Sequence, residues 1–167
     1  MNNTISKKVT VDLNRQHLWK IISVPGQLNL FHPFCKNNEV LKWDKEKSID
    51  FIEYYNKKVL KRKFFDWEEE VGYKLIINDL KKDIAEVHWN LLHPRSSKID
   101  LSITVQILDT AFKRFPNTIN KIILRTYVLP KLGAYLDSVL YGIKYFSETG
   151  NKVSKNQFGY NSMFSSR

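Results

Sequence analysis

The sequence predicts a single α+β domain in which a curved, seven-stranded antiparallel sheet wraps around one long C-terminal helix. First, apolar residues recur at three- and four-residue steps through 116–149, which is typical of one buried helix face. Second, strand-like segments follow one another between residues 39 and 108, and the gaps between them are too short for parallel connections. Third, one strand and two short helical segments precede them.

The N-terminal part predicts this strand and these two helices in order. Residues 7–13 alternate apolar and polar side chains, as a half-buried strand does. Asn14 is a suitable N-cap for a helix over 15–24, and the Pro-Gly dipeptide that follows would end that helix. A second short helix is predicted over 27–34, ending at a His-Pro pair.

Six further strands are predicted in the middle of the chain, over residues 39–43, 48–55, 59–68, 73–78, 84–92 and 98–108. The last of them alternates so clearly that one face must be buried and the other solvated. The strand over 48–55 alternates poorly, which leaves its orientation open. If Phe51 points inward, Glu53 and Tyr55 do too.

Pro130 interrupts the long C-terminal helix and removes one of its hydrogen bonds. The sequence therefore predicts a kink or two helices, over 117–128 and 130–149, with Leu129 pushed out of helical geometry. Pro116 suits the first turn, and Gly150 is placed to end the second helix.

At 167 residues, the chain is expected to form one domain over 1–150, followed by a tail over 151–167. The tail is too apolar for an idle terminus, so we expect it to fold back over the sheet or the mouth of a cavity. A frayed polar end is the alternative.

Composition limits the class of protein further. The apolar fraction of 43% is ample for a packed core, and no apolar run is long enough to cross a bilayer. The N-terminus lacks the apolar segment of a signal peptide. A single cysteine, Cys35, excludes an internal disulfide, so a cytoplasmic location is expected.

The net charge of +10 lies mostly in the last third of the chain. Residues 1–109 carry 18 Lys and Arg against 15 Asp and Glu, whereas residues 110–167 carry 9 against 2. Attraction to an anionic membrane surface is one interpretation, and a solvated helix face with a basic tail is the favoured one. Nucleic acid is not expected as a partner, because no arginine-rich run, zinc-finger spacing or aromatic RNA-binding motif is present.

A sheet this curved rarely closes fully on its helix, so a cavity is expected between them. The expected ligand-binding lining is aromatic and branched: Phe51, Tyr55, Phe65, Trp67, Tyr73, Trp89, Leu101, Ile103, Leu136, Leu140 and Ile143. The alternative is that these side chains simply fill the core.

Two segments resemble a known superfamily. The first is LWKIISVPGQLNLFHPF, with Trp19 in the first helix and His32-Pro33 shortly after it. The second is the ending LGAYLDSVLYGIKYFSETGNKVSKNQFG. With the order of elements, they resemble the SRPBCC superfamily, whose helix-grip fold is shared by START lipid-transfer domains, birch-pollen-allergen-like proteins and polyketide cyclases. The resemblance implies a hydrophobic small-molecule ligand such as a lipid, a sterol-like compound or a polyketide, held by a carrier or a sensor.

A cyclase- or dehydratase-like enzyme in the same cavity is the alternative function. The candidate polar groups are Glu53, Arg62, His32 and His88, and a carboxyl or imidazole group among them, surrounded by apolar walls, could act as a general base. Glu53 would need to face inward with Arg62 as its partner. No metal-ligand spacing, phosphate-binding glycine loop or nucleophile elbow is present, so neither a metal nor a cofactor is expected.

Overall fold

A computed structural model describes residues 3–92, 98–112 and 117–166. Its seven strands are β1 (Thr4–Val11), β2 (Cys35–Lys42), β3 (Ile49–Tyr54), β4 (Val59–Glu68), β5 (Gly72–Asn78), β6 (Asp83–Leu92) and β7 (Ile99–Ile107). They form one antiparallel sheet in the order β1-β7-β6-β5-β4-β3-β2. The predicted α+β architecture is therefore confirmed, although β1 and β2 begin several residues before the predicted limits.

The helices are α1 (Arg15–Ile22), α2 (Leu28–Phe31), α3 (Asn117–Ile123) and α4 (Leu129–Thr149). As predicted, Asn14 caps α1, because its side chain accepts a hydrogen bond of 2.9 Å from the N–H of His17. Gly150 ends α4 in the left-handed conformation at φ 71°, and its N–H donates to the carbonyl of Phe146. Pro116 lies outside the described residues.

Of the two alternatives predicted at Pro130, a kink or two helices, the separation into two helices does not occur. A π-helical turn over Leu124–Val128 joins α3 directly to α4, and Leu129 stays helical at φ −62° and ψ −42°. A wider π turn changes the hydrogen-bond pairing just before the proline, which lets the helix continue although one N–H is missing. The expectation that Leu129 leaves helical geometry is corrected accordingly.

Helix α4 lies against the concave face of the sheet and touches α2 closely at Gly142. A Cβ atom at this glycine would lie 2.1 Å from the carbonyl oxygen of Phe31, so the contact requires a residue without a side chain. Aromatic rings form a contiguous cluster next to α2, where Trp89 contacts Phe31. They are Trp19, Phe64, Trp67, Tyr73 and Trp89.

The orientation of β3, which the sequence left open, is settled by an ion pair. Asp50, Ile52 and Tyr54 are buried, whereas the side chains between them point to the outer face. Asp50 is completely buried, and its carboxylate accepts hydrogen bonds from Arg62 on the neighbouring strand β4. A satisfied carboxylate can lie inside, so the usual assumption that Asp faces water is wrong here.

Residues 151–166 form an ordered segment, which we call the C-terminal strap. The N–H of Val153 donates to the carbonyl of Leu30 at 2.9 Å, and the N–H of Asn156 donates to the carbonyl of Pro33 at 3.0 Å. Farther on, the side-chain amide of Asn161 donates to the carbonyl of Lys131 on α4 at 2.8 Å. The strap thus runs from the end of α4 over α2 and back to the beginning of α4.

Candidate functional site

A cavity of about 420 Å³ lies between the concave face of the sheet and α4. Most of its wall is aliphatic. The aliphatic members are Leu28, Ile52, Val59, Leu60, Leu75, Ile77, Ile84, Ala85, Val87, Ile103, Val105, Ile107, Ala111, Val128, Leu132, Leu136 and Val139. Such a surface favours an apolar occupant, because water inside it would find few hydrogen-bond partners.

The cavity reaches the surface at one end of the sheet, which we call the entrance end. Lys58 of the β3–β4 turn, Asp79 of the β5–β6 turn and Ala111 of the segment after β7 all border it there. Val128 borders it from the π turn of the long helix. The C-terminal strap contributes Met163 and Phe164 to the same wall, so it covers part of this end.

A hydrogen-bonded chain of three polar side chains interrupts the aliphatic wall. Nε2 of His32 lies 2.9 Å from the hydroxyl of Tyr135, which lies 3.0 Å from the hydroxyl of Tyr54. The ring of Phe164 covers both tyrosines, with centroid separations of 4.3 Å from Tyr135 and 4.7 Å from Tyr54. The strap therefore encloses this cluster.

Burial keeps all three groups uncharged. Desolvation, with the positive charge of Arg62 adding to it, lowers the pKa of His32 from 6.5 to about 3. Desolvation also raises the pKa of Tyr54 and of Tyr135 above the usual value of 10. At neutral pH, the imidazole is thus neutral and both hydroxyl groups keep their protons.

Arg62 adds a charged group to the wall, but its charge is balanced. Its Nε donates to Oδ1 of Asp50 at 2.7 Å, and Nη2 donates to Oδ2. The side-chain amide of Asn38 donates to the same carboxylate at 3.0 Å. The pKa of Arg62 is raised above its usual value by Asp50 despite the opposing effect of desolvation, so the guanidinium stays protonated.

The lining residues predicted from the sequence fall into three groups. The first group lies on the cavity wall and consists of Trp89, Ile103 and Leu136. A second group does not line the cavity: the partly buried Trp67 and the buried Tyr73 belong to the aromatic cluster, and Leu101, Leu140 and Ile143 lie in the filled core.

The third group, Phe51, Tyr55 and Phe65, lies outside the cavity and corrects the expected lining. Phe51 alternates with the buried Asp50, so its ring points to the outer face, where Lys61 lies over it. Tyr55 follows the end of β3, and Lys155 lies over its ring. A bulge after Phe65 changes the alternation of β4 and places Trp67, rather than Phe65, with the buried rings.

Of the four candidate catalytic residues, two lie on the cavity wall and two lie outside the cavity. His32 and Arg62 lie on the cavity wall. Glu53 points to the outer face and pairs with Lys36 at 2.7 Å, so the expected Glu53–Arg62 pair does not form. His88 lies on the outer face of β6, opposite Lys74, and burial together with that lysine lowers its pKa.

Sequence reasoning did not single out Tyr54, Tyr135, Met163 or Phe164 as site residues. Tyr135 lies one residue before Leu136 on the apolar stripe of the helix, which is a signal that could have found it. Tyr54 could be assigned only after the orientation of β3 was known. The apolar tail predicts a fold-back over the sheet or the cavity mouth, but its sequence does not show which of its residues reach the cavity wall.

Within the described residues, no group of three or more His, Cys, Asp or Glu side chains is arranged to hold a metal ion. In the same part of the chain, no helix is both long enough and apolar enough to cross a membrane.

No protein-family model matches the sequence, and no curated protein matches it significantly. Solved structures are similar in fold at low sequence identity. DynU16, a protein of the dynemicin biosynthetic locus, is 11% identical with a TM-score of 0.67, and the match covers 96% of this chain and 51% of DynU16. This chain thus spans about half the length of that protein.

Two other solved structures are also similar to this chain in fold. The di-domain ARO/CYC StfQ from the steffimycin biosynthetic pathway is 6% identical with a TM-score of 0.61, covering 87% of this chain and 45% of StfQ. Ara h 8.0201 is 11% identical with a TM-score of 0.58, and the match covers 87% of this chain and 97% of Ara h 8.0201. The sheet order, the long final helix and these similarities together show that the chain has the helix-grip fold that the sequence predicts.

Proposed function

We propose that this protein binds a hydrophobic small molecule in the cavity between the sheet and α4, as a carrier or a sensor. The observation that carries the proposal is the aliphatic wall of a cavity of about 420 Å³, a volume within the range of small-molecule sites. A lipid, a sterol-like compound or a polyketide-like compound fits this chemistry.

A cyclase- or dehydratase-like activity on a polyketide is the second candidate, favoured by the polar groups that converge in the cavity. Tyr54, Tyr135 and Arg62 could hold a carbonyl oxygen while a ring closes or water leaves. The similarity to StfQ, which is described as an ARO/CYC, supports this candidate. Against it, both ring nitrogens of His32 already have hydrogen-bond partners, and no unpaired carboxylate among the described lining residues faces the polar cluster.

Filling the cavity is expected to abolish ligand binding without unfolding the protein. Val105 lies on the cavity wall, and its neighbour Gln106 points to solvent from the same strand. Val105→Phe should weaken the binding of hydrophobic ligands by ~10-fold or more, about 1.4 kcal/mol, whereas Gln106→Phe should leave it unchanged. Native mass spectrometry and organic extraction of the purified protein identify a ligand class, and titration calorimetry then compares the variants.

Thermal unfolding of both variants provides the control for folding. If Val105→Phe folds and retains full affinity, the ligand lies elsewhere. If the native protein carries no adduct and shows no thermal shift with any hydrophobic compound, the carrier proposal fails. Turnover of a bound polyketide analogue, followed by mass spectrometry, would favour the enzyme instead.

We also propose that the entrance end contacts an anionic membrane, from which a carrier would take its ligand. Ile119 and Ile122 are exposed on one face of α3, and Leu80 is exposed on the β5–β6 turn. Lys121 and Arg125 flank the two isoleucines and form no ion pair with a described residue. Exposed apolar side chains beside basic ones are typical of a surface that lies in the headgroup region of a membrane.

Charge reversal on this surface is expected to weaken vesicle binding. The double variant Lys121→Glu/Arg125→Glu should bind vesicles of phosphatidylcholine and phosphatidylserine about 30-fold more weakly, from ~1 kcal/mol per basic residue. The matched control Lys20→Glu/Lys47→Glu changes the net charge equally at exposed positions away from the entrance end. Co-sedimentation measures the vesicle binding of both double variants. Equal losses in the two variants, or tight binding of a DNA duplex instead of vesicles, would contradict the membrane contact.

A further inference from the structure

The hydrogen bonds of the polar cluster leave one hydroxyl hydrogen over. Nδ1 of His32 accepts from the backbone N–H of Phe34 at 3.2 Å, so the single proton of the neutral ring is on Nε2 and points to Tyr135. The Nε2–H group of His32 and the O–H groups of Tyr135 and Tyr54 are three donors, but only two hydrogen bonds join these side chains. Whichever tyrosine donates to the other, one O–H group remains without a partner among the described residues, and both tyrosines line the cavity.

Arg62 offers a second spare donor. Its Nε and Nη2 are used by Asp50, whereas Nη1 makes no hydrogen bond with a described residue. Arg62 lies on the cavity wall and close enough to the cluster to affect the pKa of His32. Among the described residues, the carboxylate beside Arg62 is that of Asp50, which already accepts hydrogen bonds from Arg62 and from Asn38.

The charges of the polar cluster and of the ion pair beside it cancel. The positive charge of Arg62 is matched by the negative charge of Asp50, and His32 is neutral. An anion beside the cluster would lose its hydration, which is costly, and would meet one positive group that no described carboxylate balances, Lys58 at the entrance end. A neutral oxygen loses far less hydration and still accepts both hydrogen bonds.

We infer that the polar end of the cavity selects a hydrophobic ligand carrying a neutral hydrogen-bond acceptor, a ketone or a similar carbonyl oxygen, which accepts from a tyrosine hydroxyl and from Nη1 of Arg62. This inference rests on the proposed function, since it assigns a head group to the molecule in the same cavity. It names Tyr54, Tyr135 and Arg62 as the residues that determine specificity.

The inference is tested with four probes that share one naphthalene skeleton: 2-acetylnaphthalene, 2-ethylnaphthalene, 2-naphthoate and 2-(2-naphthyl)ethylammonium. Affinities are measured by titration calorimetry on the wild-type protein. The ketone should bind about 3- to 10-fold more tightly than the hydrocarbon, which corresponds to one net neutral hydrogen bond. Both charged probes should bind more weakly than the ketone.

A double variant locates the effect. Tyr54→Phe/Tyr135→Phe removes both hydroxyl groups and should reduce the preference for the ketone by about 3-fold or more. The matched control, Tyr55→Phe/Tyr141→Phe, removes two hydroxyl groups from positions that do not line the cavity and should leave the preference unchanged. The infrared C=O stretching band of bound 2-acetylnaphthalene should move to lower frequency in the wild type and the control, and less in the double variant.

The outcomes separate this inference from the proposed function. If no probe binds, the proposed function fails. If all four bind equally, or the carboxylate binds best, the cavity holds ligands but the head-group inference is overturned. A ketone preference and band shift that survive in Tyr54→Phe/Tyr135→Phe would overturn the role of the two tyrosines.

Discussion

Replacing Asp50 by leucine is expected to lower the free energy of unfolding by about 3–5 kcal/mol, because Arg62 would keep its charge in the core without a partner. Asp50 is completely buried and Arg62 is almost so, and Asn38 would lose an acceptor at the same time. Urea unfolding followed by tryptophan fluorescence measures the loss.

Two further variants show whether the unpaired charge is the cause. The double variant Asp50→Leu/Arg62→Met removes both charges and should recover much of the lost stability, since well-packed apolar residues can replace a buried ion pair. Glu53→Gln breaks the partly exposed pair with Lys36 on the outer face of the same strand and should cost about 0–1 kcal/mol. If Asp50→Leu and Glu53→Gln have similar effects, the buried pair is not a major source of stability.

Acidification is expected to destabilise the fold strongly through His32. The folded protein holds the pKa of His32 near 3, whereas an unfolded histidine has a pKa of about 6.5. Below pH 6.5, the unfolded chain therefore takes up a proton that the folded protein refuses, and stability falls with decreasing pH until about pH 3. Between pH 7 and pH 4, this group alone accounts for about 3 kcal/mol.

The variant His32→Gln isolates this contribution, because glutamine does not titrate. Its stability at pH 7 is lowered by the loss of the imidazole contacts, but its decrease between pH 7 and pH 4 should be smaller than that of the wild type by about 3 kcal/mol. His17→Gln, on the exposed side of α1, is the control and should follow the wild type. Parallel curves for all three proteins would show that His32 becomes protonated in the folded state.

The architecture could be predicted because it is encoded in local patterns. The alternation of β7, the short gaps between strands and the stripe of α4 each require only the periodicity of side chains along one element. Trp89, Ile103 and Leu136 were found on this basis, since they lie on the inner faces of clearly periodic elements.

The rest of the site depends on interactions between elements. The inner face of β3 is determined by Asp50, whose burial is acceptable only because Arg62 lies opposite it on β4. The bulge after Phe65 changes the inner face of β4 in a way that strict alternation cannot show. The strap similarly depends on hydrogen bonds with α2 and α4, so its place over Tyr54 and Tyr135 could not be read from residues 151–166 alone.

The order of the strands has a consequence for the growing chain during synthesis. Strands β2 to β6 each pair with neighbours in sequence, so these hairpins can form as they emerge. Strand β1, however, lies at the edge of the described sheet beside β7, in a register that joins Thr4 to Gln106, and closing so long a loop is slow. Helix α4 comes later still, so the nascent sheet presents the aliphatic wall of the future cavity to water until this helix is made, and the cavity is enclosed only after α4 has been synthesised.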